Sequence, residues 1–185
     1  MSAIPNITAA YLFAARAHAG QFRKGIGQVP YINHPCAVAD FVAKAGGEQA
    51  AVIAAVLHDV VEDTSITLDE IEAEFGEEIA KYVAALTDTP EMSALPGKAR
   101  KAMQAEKIAY APDAAKLIKL ADQTNNLQDL CGVFGDRPLE VRQTYLAGAR
   151  AIAKNCAGLS DLLDTAFAEA AHTLDVMIEA QEHRP

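Results

Sequence analysis

Along most of the chain, apolar residues recur at three- and four-residue intervals, the spacing of amphipathic helices rather than of strands. The pattern predicts a first helix over Ile7 to Ala19, with Asn6 or Thr8 as its cap. GQFRKGIGQVPYINHP follows, and its glycines and prolines mark a loop. Helical spacing resumes over Pro35 to Lys44, with Pro35 in the first turn and Gly46-Gly47 past the end. The most apolar segment, Glu48 to about Asp63, predicts one unbroken central helix. Thr67-Leu-Asp-Glu70 has the spacing of a capping box and opens a short helix that stops near Gly76. Further helices are predicted over Glu77 to Leu86, Lys98 to Tyr110, Pro112 to Leu130, Pro138 to Lys154 and Leu159 to Glu182. The least helical stretches are Gly20 to Asn33 and Thr87 to Gly97, and loops of that length in compact domains often wall a site. The fold class expected is all-α: a single compact helical bundle over 1–185, with no repeat or linker to divide it.

Composition supports this reading. A chain of 185 residues can bury a substantial core, and abundant alanine with no tryptophan and few β-branched runs favours close-packed helices. A formal charge of −9 argues against general DNA binding, which calls for a basic face. The charge is unevenly spread. Lys98, Arg100, Lys101, Lys107, Lys116 and Lys119 face only Glu106 and Asp113 in their stretch, a local patch suited to a small polyanion. Cys36, Cys131 and Cys156 show no disulfide or zinc-knuckle spacing, which fits a reducing compartment. No secretory pattern and no apolar run of roughly 18–20 residues is present, so the expected location is cytoplasmic, without a membrane span.

One stretch asks for an explanation. LHDVVEDT places His58, Asp59, Glu62 and Asp63 directly after an apolar run. On a continuous helix, counting from His58, Asp59 falls at about 100°, Glu62 at about 40° and Asp63 at about 140°, all on one side. Three carboxylates in one buried cluster repel each other unless protons, cations or a metal compensate. NHP adds His34 just before a helix, and KLIKLADQTNNL adds Asp122, with Asn126 one turn later on the same face. Two imidazoles and two carboxylates from three segments make a mixed nitrogen and oxygen set that suits Mn²⁺, Fe²⁺ or Zn²⁺ with positions open for water or substrate. His18 is expected to pack in the first helix, His172 and His183 lie outside these motifs, and none of the three receives a chemical role.

His34, then His58-Asp59, then Asp122 matches the H…HD…D pattern of the HD phosphohydrolase superfamily. HAGQFRKGIGQVPYINHPCAVA, LHDVVEDT, TLDEIEAEFGEEIAKYVAALTD and AKLIKLADQTNNLQDL together resemble the hydrolase domain of RelA/SpoT proteins. The likeness covers roughly residues 8–150, with the helices of 138–182 expected to pack on that part. With no synthetase portion in the sequence, the chain resembles the stand-alone small alarmone hydrolases of the metazoan SpoT-homologue type. The resemblance implies an HD-domain bundle with one metal ion, usually Mn²⁺, between its central helices. His34, His58, Asp59 and Asp122 then carry over as ligands, and Glu62 and Asp63 match the ED motif that acts on the attacking water. The implied reaction is removal of the 3′-pyrophosphate of (p)ppGpp, leaving GDP or GTP. Arg23 and Lys24 match the RK pair, Tyr31 the aromatic of PYI, and Asn126 the asparagine placed near the nucleoside. Lys98 and Tyr145 fall near cradle positions, and Arg142 stands one residue out of register with the usual arginine.

The chain departs from its relatives at Gln123-Thr124, where a Lys or Arg followed by Leu is common, so one positive charge beside the site is lost. Substrate identity is therefore the open part of the reading. The same metal chemistry on the 2′-phosphate of NADPH or on a tRNA 3′-pyrophosphate is an alternative, as is a non-catalytic nucleotide-sensing module. The acidic balance disfavours tRNA, and the presence of both Glu62 and Asp63 disfavours the sensor. A small nucleotide is the expected partner, and the sequence leaves the oligomeric state open.

Overall fold

The computed structural model describes residues 7–25, 27–132 and 137–183. Among them regular structure is helical, apart from one antiparallel bridge between Phe22 and Pro30. The elements are α1 (Ile7–Ala17), α2 (Asn33–Lys44), α3 (Gln49–Leu57), α4 (Val60–Asp63), α5 (Leu68–Phe75), α6 (Glu77–Leu86), α7 (Pro90–Ser93), α8 (Gly97–Ala109), α9 (Asp113–Cys131), α10 (Leu139–Ala153) and α11 (Asp161–Glu182).

Two helices form the centre. In α3 every residue from Ala51 to Leu57 is buried, because the segment is apolar all round. Helices α1, α2 and α6 surround it. In α9 the buried set includes Ala115, Ile118, Leu120, Ala121 and Leu127, and α2 packs on one side while α10 and α11 cover the rest. Full burial of side chains such as Ile53, Leu57, Ile118 and Leu127 contributes about 1.5–3 kcal/mol each. Small residues set the helix spacing. A Cβ on Gly148 of α10 would lie 2.6 Å from Lys101 Cβ of α8, so only glycine allows that approach.

Most helix limits fall where the periodicity places them. The Thr67–Glu70 capping box is formed in both directions: Thr67 Oγ1 accepts from the Glu70 backbone and the Glu70 carboxylate accepts from the Thr67 N–H. Four details differ. α2 starts at Asn33, two residues before Pro35. The stretch 87–97 contains the short helix α7, capped by Thr89 and opened by Pro90. The central helix is not continuous: it stops at Leu57 and restarts at Val60, with Asp59 at φ −100° and ψ −5° between the two parts. Asn6 lies outside the described residues, and Thr8 sits inside α1 rather than before it. Among the described residues no helix is long and apolar enough to cross a membrane.

Candidate active site

The break between α3 and α4 builds the site. It carries His58 and Asp59 at the end of the most buried helix and aims them toward α2 and α9. His34, on the first turn of α2, and Asp122, midway along α9, meet them there. His34, His58 and Asp59 each offer one ligand atom, all within 4.8 Å of one another. His34 Nε2 is 3.5 Å from Asp59 Oδ2 and 3.3 Å from Asp122 Oδ1, and His58 Nε2 is 3.2 Å from Asp59 Oδ2.

The hydrogen bonds of the two imidazoles set which of their nitrogens faces the carboxylates. His58 Nδ1 is 2.8 Å from the Ala55 carbonyl, which can only accept, so it carries the proton there. His34 Nδ1 is held in the same way, 2.6 Å from Asn125 Oδ1. In the neutral tautomers both Nε2 atoms therefore turn lone pairs toward carboxylate oxygens, and His58 Nε2 has no hydrogen-bond partner among the described residues. Converging acceptors need a cation between them, and this donor set is that of a divalent metal with oriented imidazoles. Without a metal a proton fills the gap. Burial pushes His58 down, but the Asp59 and Asp122 charges outweigh it and lift the imidazole to about 9. Burial raises the Asp59 carboxyl, and the facing histidines more than reverse that, holding it well below the usual carboxylate range.

Asp122 stands beside the three rather than among them. Its oxygens accept from Lys119 Nζ at 3.0 Å, Gln123 Nε2 at 2.8 Å and Asn126 Nδ2 at 2.5 Å. Tyr31 donates to Asp59 Oδ2 at 2.7 Å while its ring stacks on His18, so its hydroxyl is already engaged. His18, left without a role by the sequence, binds Gln21 Oε1 through Nδ1 at 2.8 Å, and Gln21 Nε2 donates to the Asp63 carbonyl. This small chain ties the Phe22–Pro30 ribbon to α4.

Glu62 and Asp63 do not behave alike. Glu62 is half-buried, and one oxygen accepts from the Asp88 backbone N–H at 3.2 Å while the other accepts from Arg100. Arg100 Nε also donates to buried Asp88 at 2.5 Å, where Gln104 joins at 2.7 Å. Burial raises the Glu62 carboxyl, and the Asp88 N–H opposes it. Asp63 is exposed at the rim. As neighbours on α4 they project about 100° apart, so the two carboxylates do not share one direction.

A cavity of about 930 Å³ opens over the cluster. His34, Asp59, Asp122, Glu62 and Asp63 lie along it, as do Arg23, Lys24, Tyr31, Lys98, Asn126 and Tyr145. Arg23 is fixed by Asn126 Oδ1 at 2.6 Å and Asp129 Oδ2 at 2.8 Å. Arg142 is the exception among the expected cradle residues. Val141, Thr144 and Tyr145 form the lining face of α10, and Arg142 points off that face, 2 % exposed, with Nε unpartnered among the described residues. The sequence does not single out Asn125 or Asp88 as site residues, since their partners His34 and Glu62 lie 91 and 26 residues away. Arg100, Lys101 and Lys119 are visible in it only as members of a basic stretch.

The family model for the HD domain matches residues 10–146. Human guanosine-3′,5′-bis(diphosphate) 3′-pyrophosphohydrolase MESH1 is 40% identical over 158 residues, which cover 84% of this chain and 87% of that protein. Its Xenopus tropicalis counterpart is 39% identical over 155 residues, 82% of this chain and 85% of that one. A solved structure described as a metazoan ortholog of SpoT that hydrolyzes ppGpp superposes with a TM-score of 0.81 at 31% identity, covering 91% of this chain and 96% of that chain. With its histidines and carboxylates gathered as the fold requires, this chain belongs to the HD domain family.

Proposed function

We propose that this protein is a metal-dependent (p)ppGpp 3′-pyrophosphohydrolase. The observation that carries the reading is the His34–His58–Asp59 cluster on the wall of a cation-lined cavity, in a chain 40% identical to an enzyme named for that reaction. For ppGpp the balance is one water consumed and GDP and pyrophosphate formed. The water oxygen bonds to the 3′-linked phosphorus, that phosphorus loses its bond to the ribose oxygen, and a proton passes to the departing oxygen.

The metal, Mn²⁺ by family likeness with Fe²⁺ or Zn²⁺ compatible with the same ligands, would be held by His34, His58, Asp59 and Asp122 and would lower the pKa of a water at the reacting phosphorus. Glu62 accepts the proton of the attacking water, its carboxylate aimed by the Asp88 N–H and by Arg100. Asp63 assists from the rim. Arg23, Lys24 and Lys98 supply positive charge for the phosphates, and Asn126, which lines the cavity between Arg23 and Asp122, is assigned to the nucleoside. The partner is a small nucleotide, and three free cysteines suit the reducing cytoplasm.

Anion-exchange analysis of Mn²⁺-loaded protein incubated with ppGpp, beside a parallel NADPH sample, tests this. GDP and pyrophosphate are expected in equal amounts, with the reaction stopped by a chelator. Phosphate release from NADPH without turnover of ppGpp would reassign the substrate, and inactivity on both with metal bound would point to another nucleotide or to a sensing module.

A further inference from the structure

The cations along the cavity are not equivalent. Arg23 is paired with Asp129, Arg100 with Glu62 and Asp88, and Lys119 with Asp122. Lys24 and Lys98 are exposed at the mouth, where water solvates their charge. Lys101 shares neither condition. It reaches in from α8, its Nζ donates to Gln123 Oε1 at 2.8 Å, and it lies 4.2 Å from the centre of the Tyr145 ring. Among the described residues no carboxylate pairs with it.

Its placement is built into the packing. A Cβ on Gly148 would stand 2.6 Å from Lys101 Cβ and 2.7 Å from its Cγ, so the bare backbone of α10 presses on the lysine stem. One turn earlier on α10, Tyr145 presents its ring to the ammonium. Gln123 holds the other side, and its Nε2 donates to Asp122 Oδ2 at 2.8 Å. Gln123 is itself almost wholly buried, with its amide spent on these two neighbours.

An amide oxygen and an aromatic face offset only part of the cost of removing an ammonium from water. Burial, reinforced by the charge of Lys119, depresses the amine to about 7. An anion arriving in the cavity would supply the missing countercharge. The lysine is one side chain from Asp122, whereas Lys24 and Lys98 stand at the mouth, so the anion in question is the group next to the metal cluster.

We propose that Lys101, clamped between Gln123 and Tyr145, forms an inner phosphate subsite that binds the diphosphate to be removed, while the cations of the mouth serve the rest of the nucleotide. The assignment rests on the nucleotide-hydrolase reading given above for the identity of that diphosphate.

The test uses Mn²⁺-loaded full-length protein, as wild type, Lys101→Met and Lys101→Gln, with inorganic pyrophosphate as the calorimetric probe. Metal content is read before and after titration, so that extraction of the ion is separated from binding. Losing a charge-assisted contact should weaken pyrophosphate binding about tenfold or more in both variants. The KM for ppGpp should rise in step, with metal content unchanged. Lys101→Arg should recover part of the affinity. Wild-type pyrophosphate affinity in either folded, metal-loaded variant would overturn the subsite, even with ppGpp hydrolysis intact. Pyrophosphate binding that depends on Lys101 in a protein that does not hydrolyse ppGpp would support the subsite and remove the alarmone reading instead.

Discussion

At the residue scale, the site is a set of buried groups whose protonation is fixed by their outer partners. Ala55 and Asn125 hold the imidazole protons of His58 and His34 on Nδ1, which leaves Nε2 free to ligate. Asp59→Ala removes the carboxylate that faces both rings, so metal retention and activity should be lost together, read by metal analysis and ppGpp turnover. Glu62→Gln keeps the shape and the Asp88 and Arg100 neighbours but cannot take a proton. Metal content should stay at the wild-type level while kcat falls by about 10²–10⁴-fold, and full turnover in that variant would exclude Glu62 as the base. Lys101 gives a pH signature. Its folded value, about 7, lies below the roughly 10.4 of an unfolded lysine, so between these the unfolded chain holds the extra proton and stability rises with pH. Below about 7 both states are charged, and the folded state bears the full cost of burying the ammonium among Lys119, Arg100, Asp122 and Asp88. Lys101→Met should therefore exceed wild type in urea midpoint most at pH 6.5, with the gap closing toward pH 10. A gap independent of pH would mean that the lysine is charged in the fold throughout.

At the element scale, the periodicity shows where nearly every helix lies, because each has one face to bury and a capping or breaking signal near its ends. Thr67–Glu70 and Gly76 mark α5 in the sequence as they do in the structure. The break between α3 and α4 is hidden, since AAVIAAVLHDVVED contains no glycine or proline to announce it. There the backbone yields to tertiary demands at Asp59, whose carboxylate must meet Tyr31 and two histidines at once. The histidines and aspartates of the cluster were legible as residue types at telling spacings. Their supports were not, because Asn125, Asp88 and Arg100 become meaningful only when distant helices meet. Arg142 is a plausible residue type whose neighbours Val141, Thr144 and Tyr145 line the cavity in its place. The contact of α8 with α10 is testable directly. In Gly148→Ala the new methyl overlaps the root of the Lys101 side chain, so the helices must part or the lysine must shift. Overpacking of this kind should cost about 1–3 kcal/mol by chemical denaturation. It should also raise the KM for ppGpp, although residue 148 itself is not among those lining the cavity. Unchanged stability and KM would show that the approach is looser than it looks.

At the scale of the whole molecule, a chain of net charge −9 concentrates its unlike charges around one cavity, carboxylates toward the metal cluster and lysines and arginines around them. Folding brings Asp59, Asp122 and two imidazole lone pairs together, which the unfolded chain keeps apart in water. A divalent ion therefore binds the folded state far better than the unfolded one, and by mass action its binding free energy adds to stability. At a free concentration 100 times its dissociation constant the gain is about 2.7 kcal/mol. For a domain of this size each kcal/mol moves the melting temperature by roughly 2–4 °C, so saturation should raise it by roughly 5–10 °C over the chelated protein. Glu62→Gln should show the same rise, because that carboxylate is outside the His34–His58–Asp59 group. Asp59→Ala should show little of it, because the carboxylate facing both imidazoles is gone. Scanning calorimetry of the three proteins with Mn²⁺ and with chelator separates a ligand from a proton acceptor without any assay of turnover. Equal melting of wild type in both conditions would mean that the cluster is neutralised by protons on its histidines, and the metal would then have no place in the fold.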